Sequence, residues 1–247
     1  QILQESKTTE EARRLEFRWK EGKLHSNLIV GADTASTSRL HSNQDLSNRG
    51  VSLFGSGFIV TRPQAEGLGY ATDSLPGNVI REYRNGRDLT QIPRDVLVID
   101  LFGYSAEQAR KEVPDVYQWV LDYVKPERDK NNRKVRRENW WLFGETNPKL
   151  RAQIADLDRY IATVETSKHR FFQFLDNKIL PDNKLLCVAL NEPLWLGILS
   201  SRLHKVWALR TGGNLGVGND PVYVKSRCFE TFPFPENWET APTLEAV

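Results

Sequence analysis

Short segments rich in β-branched and aromatic residues alternate with polar loops along this chain, and this alternation limits the fold more than any other feature. They span residues 79–83, 96–102, 160–164, 171–175 and 185–190. Gly, Pro, Asn or Asp flank them, which is typical of short β-strands. A further strand is predicted over residues 51–60, interrupted by Gly55 and Gly57.

Helical periodicity is found in fewer segments. A short charged helix is predicted over residues 4–20. Ser105 forms a capping box with Gln108 and begins a longer helix, in which Pro114 predicts a break near residue 113. Its apolar stripe consists of Ala109, Val113, Val116, Val120 and Val124. A last helix over residues 193–209 has an apolar face made of Leu196, Leu199, Leu203, Val206 and Trp207.

These elements together predict an α+β fold. The main part is expected to be β-rich with a mostly antiparallel sheet, and a small helical section is expected to follow at the C-terminal end. Residues 21–50 are dominated by polar residues and are predicted to form an irregular connector.

Composition limits the cellular setting more than the function. No run of 18 apolar residues occurs, so no membrane span is predicted. Cys187 and Cys228 have apolar or aromatic neighbours, which indicates buried thiols in a reducing cytoplasm. The sequence has no methionine, even at its first position, and we expect it to be a piece of a longer protein.

The glycine stretch at residues 53–58 superficially matches the cofactor turn of an S-adenosylmethionine fold. That turn requires a helix directly after the glycines. Here Phe58, Ile59 and Val60 follow and predict a strand, so a bulged strand is favoured over a cofactor site.

Two acidic-x-Lys pairs resemble the metal-binding pair of a Mg²⁺-dependent nuclease. They are Asp176 with Lys178 and Asp182 with Lys184, but both lie in apparent turns around Pro181. A turn is therefore favoured. The histidines are scattered, so we assign no catalytic, cofactor-binding or metal-binding residue.

Local charge favours binding to an anionic partner. The net charge is only +2, so any such function depends on clusters. Residues 125–138 carry seven basic and three acidic side chains, and Trp140 and Trp141 follow at once. Such a loop attracts phosphates, and adjacent indoles can stack on bases or wedge a groove. A solvated charged loop anchored by two core tryptophans is the alternative.

Three further polar clusters have side chains suited to nucleic acids. Residues 84–88 place Arg84 and Arg87 around an Asn-Gly pair, which is a hairpin signal. Residues 163–170 offer the Glu, Thr, Ser, Lys and Arg side chains that read base edges in the major groove. The glycine-rich segment 212–220 is either a phosphate-approaching loop or a connector.

The order of several segments resembles a known family. They are Arg-Asn-Gly-Arg-Asp-Leu at 84–89, Val-Leu-Val-Ile-Asp-Leu-Phe-Gly at 96–103, Val-Lys-Pro-Glu-Arg at 124–128, Arg-Tyr-Ile-Ala-Thr-Val-Glu-Thr-Ser-Lys-His-Arg-Phe-Phe at 159–172, Leu-Gly-Ile-Leu-Ser-Ser-Arg-Leu-His at 196–204 and Cys-Phe-Glu-Thr-Phe-Pro-Phe-Pro at 228–235. Across roughly residues 24–236 the chain is similar to the C-terminal half of a class I DNA adenine methyltransferase of the MmeI-like, type IIL restriction-modification group.

The resemblance implies a division into three parts. Residues 1–50 would connect to an upstream catalytic domain, residues 51–190 would form the DNA target recognition domain, and residues 191–247 the helical C-terminal section. Enzymes of this group methylate adenine with S-adenosylmethionine in restriction-modification or phage defence. Their Asn/Asp-Pro-Pro-Tyr/Phe motif holds the flipped base. This sequence lacks that motif, so the resemblance places the cofactor and the chemistry in an upstream domain. The partners that it implies are double-stranded DNA and that upstream domain of the same chain.

The resemblance also suggests roles for individual side chains. The base-reading candidates are Arg84, Asn85, Arg87, Glu165, Thr166, Lys168 and Arg170. The phosphate-contacting candidates are Arg128, Lys130, Arg133, Lys134, Arg136, Arg137, Asn214 and Asn219, and the stacking candidates are Trp140 and Trp141. A protein-docking module of a restriction-modification complex is the first alternative, and a small Mg²⁺-dependent nuclease is the second.

Overall fold

A computed structural model gives the structure of the chain for residues 2–5, 15–18, 21–23, 30, 33–34, 36–72, 75–76, 78–215 and 220–235. The chain divides into two compact units, Gln1–Ser38 and Arg39–Val247. Among the described helices, none has the length and apolar composition needed to cross a bilayer.

The first unit contains an antiparallel hairpin of β1 (Ile2–Glu5) and β2 (Leu15–Arg18), with Ile2 opposite Arg18. The prediction of a helix over residues 4–20 is therefore wrong for the residues of β1 and β2 that fall in this range. Leu15 and Phe17 alternate with Glu16 and Arg18, and this period of two is that of a strand.

Two four-stranded sheets organise the second unit. The first has the order β4 (Ile59–Val60), β6 (Leu97–Ile99), β5 (Ile80–Arg84) and β9 (Leu180–Pro181); only β5 and β9 are parallel among these strands. The second is antiparallel, with the order β3 (Ser47–Arg49), β10 (Leu185–Val188), β7 (Arg159–Val164) and β8 (Gln173–Asp176). A separate hairpin pairs β11 (Gly213–Leu215) with β12 (Asp220–Val222).

Helices fill the connections between these strands. They are α1 (Arg62–Gly67), α2 (Gly86–Thr90), α3 (Ala106–Glu112), α4 (Pro114–Tyr123), α5 (Lys125–Asp129), α6 (Lys134–Glu138), α7 (Pro148–Ile154), α8 (Pro193–Ser200) and α9 (Arg202–Thr211), and a π-helical turn spans Lys225–Phe229. The capping box of Ser105 and Gln108 is present, and Pro114 begins α4 directly after α3 ends, as predicted.

The apolar residues form three clusters. Helices α3 and α4 bury their predicted stripe against the first sheet, where Val116 and Val120 join Leu97 and Ile99. The second sheet is covered by the helical C-terminal section through a cluster that includes Ile161, Leu199 and Phe229. The third cluster includes Leu150 of α7 and Leu185 of β10. One unit therefore contains β3 from the predicted connector, the predicted recognition domain and the C-terminal helices.

The α+β class and the mostly antiparallel sheets are confirmed, as are the strands predicted at 79–83, 96–102, 160–164, 171–175 and 185–190, although several are shorter than predicted. The strand over 51–60 is reduced to β4, since a 3₁₀ turn occupies Ser56–Phe58. The segment 125–138 is not a loop but contains α5 and α6. The two cysteines are buried and free.

One turn prediction and one helix prediction also change. Asn85 does not form a hairpin tip: it caps α2, because its side-chain oxygen accepts the backbone N–H groups of Arg87 and Asp88. The helix over 193–209 is split by Ser201 into α8 and α9. The split leaves Leu203 and Val206 exposed rather than on a buried face.

Candidate nucleic-acid interface

The turn at residues 182–184 lies at the centre of the candidate interface. The backbone N–H of Asp182 donates to the carbonyl oxygen of Arg84 at 2.8 Å, which extends the parallel pairing of β5 with β9. The Tyr83 hydroxyl donates to Asp182 Oδ2 at 2.6 Å. The predicted cluster at 84–87 is thus fixed against this turn.

The other side of the turn holds the predicted loop 165–170. The backbone N–H of Glu165 donates to the carbonyl oxygen of Lys184 at 2.8 Å. The Glu165 carboxylate also forms ion pairs with Lys184 Nζ, at 3.1 Å, and with the Arg49 guanidinium. Because Glu165 is mostly buried while both cations are largely exposed, its carboxylate orients two positive groups at the surface.

The β11–β12 hairpin completes the arrangement. Tyr223 N–H donates to the Glu165 carbonyl oxygen at 2.8 Å, and Ser167 N–H donates to the Pro221 carbonyl oxygen at 3.2 Å. A bridge between Thr166 and Val222 lies beside these bonds. Three of the four predicted clusters therefore share one surface, which we call the recognition face: residues 84–87, 165–170, 182–184 and the β11–β12 hairpin.

Arg170 supports this face from beneath and is a correction to the base-reading candidates. Its guanidinium donates to the Thr163 hydroxyl at 3.0 Å, to the Val164 carbonyl, and to the Glu165 and Pro221 carbonyls at 3.3 Å each. Burial lowers the pKa of this guanidinium from its usual value. Because both terminal nitrogens of its guanidinium are hydrogen-bonded within the protein, Arg170 fixes the loop to the hairpin.

The short helix α2 presents Arg87 at the edge of the face. A Cβ on Gly86 would lie 3.1 Å from Val164 Cγ1, so α2 begins in close contact with β7. Arg94 holds α2 through a two-bond pairing with the Asp88 carboxylate. Desolvation opposes ionisation of Asp88, but hydrogen bonds from the Arg94 side chain and from backbone N–H groups lower its pKa to about 2.

The basic segment 125–138 contains buried arginines that the sequence did not reveal. Arg128 is only 1% exposed and donates to the carbonyl oxygens of Leu53 and Leu142 at 2.9 Å. Arg136 is also buried, with its guanidinium carbon 3.5 Å from the centroid of the Phe54 ring. Both are corrections to the phosphate candidates, because they face inward from α5 and α6.

Burial corrects the predicted stacking role for Trp140, while for half-buried Trp141 that role stays a prediction. Trp140 is 8% exposed and lies in the first apolar cluster, 5.5 Å from the Tyr117 ring. Trp141 is half-buried, and its indole N–H donates to the Tyr104 carbonyl at 2.9 Å. These indoles anchor the basic segment to the core, which was the alternative interpretation.

The remaining candidate side chains are either half-buried or exposed. Arg84, Asn85, Glu165 and Thr166 are half-buried. The exposed candidates are Arg87, Lys130, Arg133, Lys134, Arg137, Lys168 and Asn214, while Asn219 lies outside the described residues.

The two nuclease pairs lie in turns, as favoured from the sequence. The carboxylates of Asp176 and Asp182 accept the backbone N–H groups of Lys178 and Lys184 at 2.8 and 2.9 Å. Within the described ranges, no three His, Cys, Asp or Glu side chains are grouped so that they could hold a metal ion.

The glycine stretch does not fit S-adenosylmethionine. A Cβ on Gly57 would lie 2.3 Å from the Tyr123 carbonyl oxygen, so this glycine allows the backbone to pack directly against the end of α4. A strand, β4, follows the stretch rather than the helix that a cofactor turn needs.

A family model described as "MmeI, target recognition domain" matches residues 26–236. The chain belongs to this family. Its fold is similar to that of a solved structure of the type IIL restriction-modification enzyme MmeI in complex with DNA, with a TM-score of 0.64 and 19% sequence identity. The similarity covers 85% of this chain and 28% of that one, so the chain spans under a third of that enzyme's length. No curated protein matches the chain.

In this target recognition domain, the sequence analysis missed three side chains on or beside the recognition face. Asn183 lines two neighbouring clefts of about 510 and 390 Å³. Arg49 lines the first, and Phe54, which is 45% exposed, lines the second. In the sequence, Asn183 is the middle residue of the Asp182-x-Lys184 pair, which is typical of a turn. Its place at a polar turn between two strands was the signal available for a binding residue.

Proposed function

We propose that this target recognition domain binds double-stranded DNA and reads a specific base sequence with its recognition face. One observation carries the proposal: segments far apart in the sequence, each with side chains that can pair with base edges, meet around residues 182–184. The fold's similarity to MmeI, which was solved in complex with DNA, supports the same partner.

Base reading is assigned to the side chains on the face itself. Arg84, Arg87 and Lys168 can donate to guanine, while Asn183 can pair with adenine. Asn85 retains its amide N–H groups for donation because only its oxygen is used in capping. Glu165 acts through the Arg49 and Lys184 cations that it orients, and Thr166 lies beside it as a smaller contact.

Phosphate contacts are assigned to the exposed side chains on or next to α5 and α6 and to the hairpin. They are Lys130, Arg133, Lys134, Arg137 and Asn214. Asn219, outside the described residues, stays a phosphate candidate from the sequence. If the four cations each contact one phosphate, log affinity should fall against log salt with a slope of about −3 to −4.

The family also suggests what the whole protein does. We infer that this domain directs an upstream catalytic domain of the same polypeptide, which transfers a methyl group from S-adenosylmethionine to adenine in double-stranded DNA. Such a protein would act in restriction-modification or phage defence in the cytoplasm. Family membership and the 28% coverage of the MmeI chain support this inference.

The experiment measures the affinity of the chain for duplex DNA at several salt concentrations. Arg133→Gln with Arg137→Gln should flatten the slope by about 2, since each removed phosphate contact lowers it by about 1. Lys111→Gln, an exposed change on α3, is the matched control and should leave the slope unchanged.

An unchanged slope in the double variant would refute the phosphate assignment. If the unsubstituted chain binds no duplex at all, the proposed function fails. A protein-docking module would then be favoured, for which Leu203, Val206 and Leu209 of α9 provide an exposed apolar surface.

A further inference from the structure

Phe54 combines exposure with an unfavourable backbone conformation. Its side chain is 45% exposed, although it lies between the buried residues Leu53 and Phe58. Its φ is +51°, in the left-handed region that phenylalanine rarely adopts. Strain of this kind is concentrated at functional sites, where the surrounding structure maintains it.

The surrounding structure fixes the ring from two sides. The Arg136 guanidinium covers one face, with its central carbon 3.5 Å from the ring centroid. Gly144 contacts the ring closely: a Cβ there would lie 2.4 Å from Phe54 Cδ2. Since Arg136 is itself buried on α6, the ring is held in place rather than free to fold back onto the core.

The ring lies next to groups already assigned to DNA. It lines the cleft of about 390 Å³ together with Asn85 and Asn183 of the recognition face. Helix α6, which supplies the Arg136 guanidinium over the ring, also carries the exposed cations Lys134 and Arg137. The exposed ring therefore shares a cleft with two base-reading amides and contacts the helix that carries two phosphate-contacting candidates.

We propose that Phe54, supported by Arg136, is a wedge that packs against a partially opened base step in the bound duplex. This inference rests on the proposed function and adds a contact site to it. Apolar wedges at protein–DNA interfaces unstack a step and bend the duplex, and stacking on an aromatic ring offsets part of that cost. Phe54 thus takes the stacking role that the buried indole of Trp140 cannot perform.

The test compares ring-deleted variants with the unsubstituted chain. Phe54→Gly removes the ring and suits the positive φ, while Phe54→Ala removes the ring and keeps the strain. Both should bind a duplex carrying the recognised sequence roughly 5- to 150-fold more weakly, the range of one lost base–aromatic stack. Phe54→Tyr keeps the ring and should restore binding. Leu203→Ala, which removes a side chain that is 72% exposed on α9, is the control for lost apolar surface.

A mismatch scan then locates the contact. Duplexes with a single mismatch at successive positions contain one step that is already partly unstacked. The unsubstituted chain should bind one of these at least about fivefold more tightly than the paired duplex, because the unstacking cost is lower there. Phe54→Gly should show no such gain at any position.

The outcomes separate the two proposals. If the unsubstituted chain binds the paired duplex and both ring-deleted variants bind within twofold of it, the wedge is refuted and the recognition face remains. If the unsubstituted chain binds no duplex, the proposed function itself is overturned and the wedge with it.

Discussion

Replacing Arg170 with lysine distinguishes a positioning residue from a base reader. The guanidinium contacts oxygens on two separate segments, at Glu165 in the loop and Pro221 in the hairpin. Lysine keeps the charge but has a single ammonium group, which cannot reach both segments with the same geometry. The substitution therefore breaks the connection beneath the recognition face without changing its net charge.

The magnitude follows from the hydrogen bonds lost. A hydrogen bond to a charged group stabilises a protein by about 1.5–3 kcal/mol, and at least two are broken. We expect the free energy of unfolding to fall by about 3 kcal/mol. For a domain of this size, that corresponds to a decrease in Tm of about 6–12 °C.

The assay combines thermal unfolding with selection of binding sites from a randomised duplex pool. Arg170→Lys should lower Tm and weaken binding to all selected sites while leaving the preferred bases the same. Arg87→Lys, on the exposed edge of the same face, should leave Tm unchanged. If Arg170→Lys instead relaxes the preference at one base pair while Tm stays constant, Arg170 reads that base and the positioning role is refuted.

Three other predictions concern stability. Burial lowers the pKa of His204 to about 4, so below pH 6.5 the unfolded chain binds a proton that the folded chain does not. The free energy of unfolding in urea should therefore fall by up to about 3 kcal/mol between pH 6.5 and 4. His204→Gln should remove this pH dependence. The pKa of Asp88 is lowered to about 2, so its carboxylate stabilises the fold above pH 4. Asp88→Asn should lower the free energy of unfolding by about 1 kcal/mol at pH 7. The difference between the variant and the unsubstituted chain should disappear as the pH falls from 4 to 2. Gly57→Ala should destabilise the chain by about 1–3 kcal/mol in the same assay, whereas Gly67→Ala, with no atom within 4 Å of its added Cβ, should not.

Local patterns in the sequence predicted much of the fold. Pro114 marks the break between α3 and α4, and the valine stripe on either side packs against the first sheet as its spacing indicates. These elements depend on residues close together in the chain, so their periodicity is sufficient. Leu203 shows the limit, because a kink at Ser201 turns a predicted apolar face outward.

The candidate site was harder to predict because long-range pairing assembles it. Arg49 reaches Glu165 only because β3 pairs with β10, and Asp182 reaches Arg84 only because β9 pairs with β5. Within the basic segment, Arg128 and Arg133 look equivalent in sequence, yet one is buried and the other exposed. Helices of five residues are too short for periodicity to reveal which side faces the core.

Sequence-specific binding is the central claim, and selection from a randomised duplex pool tests it most directly. The chain would be used at moderate salt and again at doubled salt. We expect an enriched asymmetric motif of several base pairs whose recovery falls at the higher salt concentration. Recovery of DNA without any motif, or no recovery at all, would contradict the claim that this face reads a base sequence.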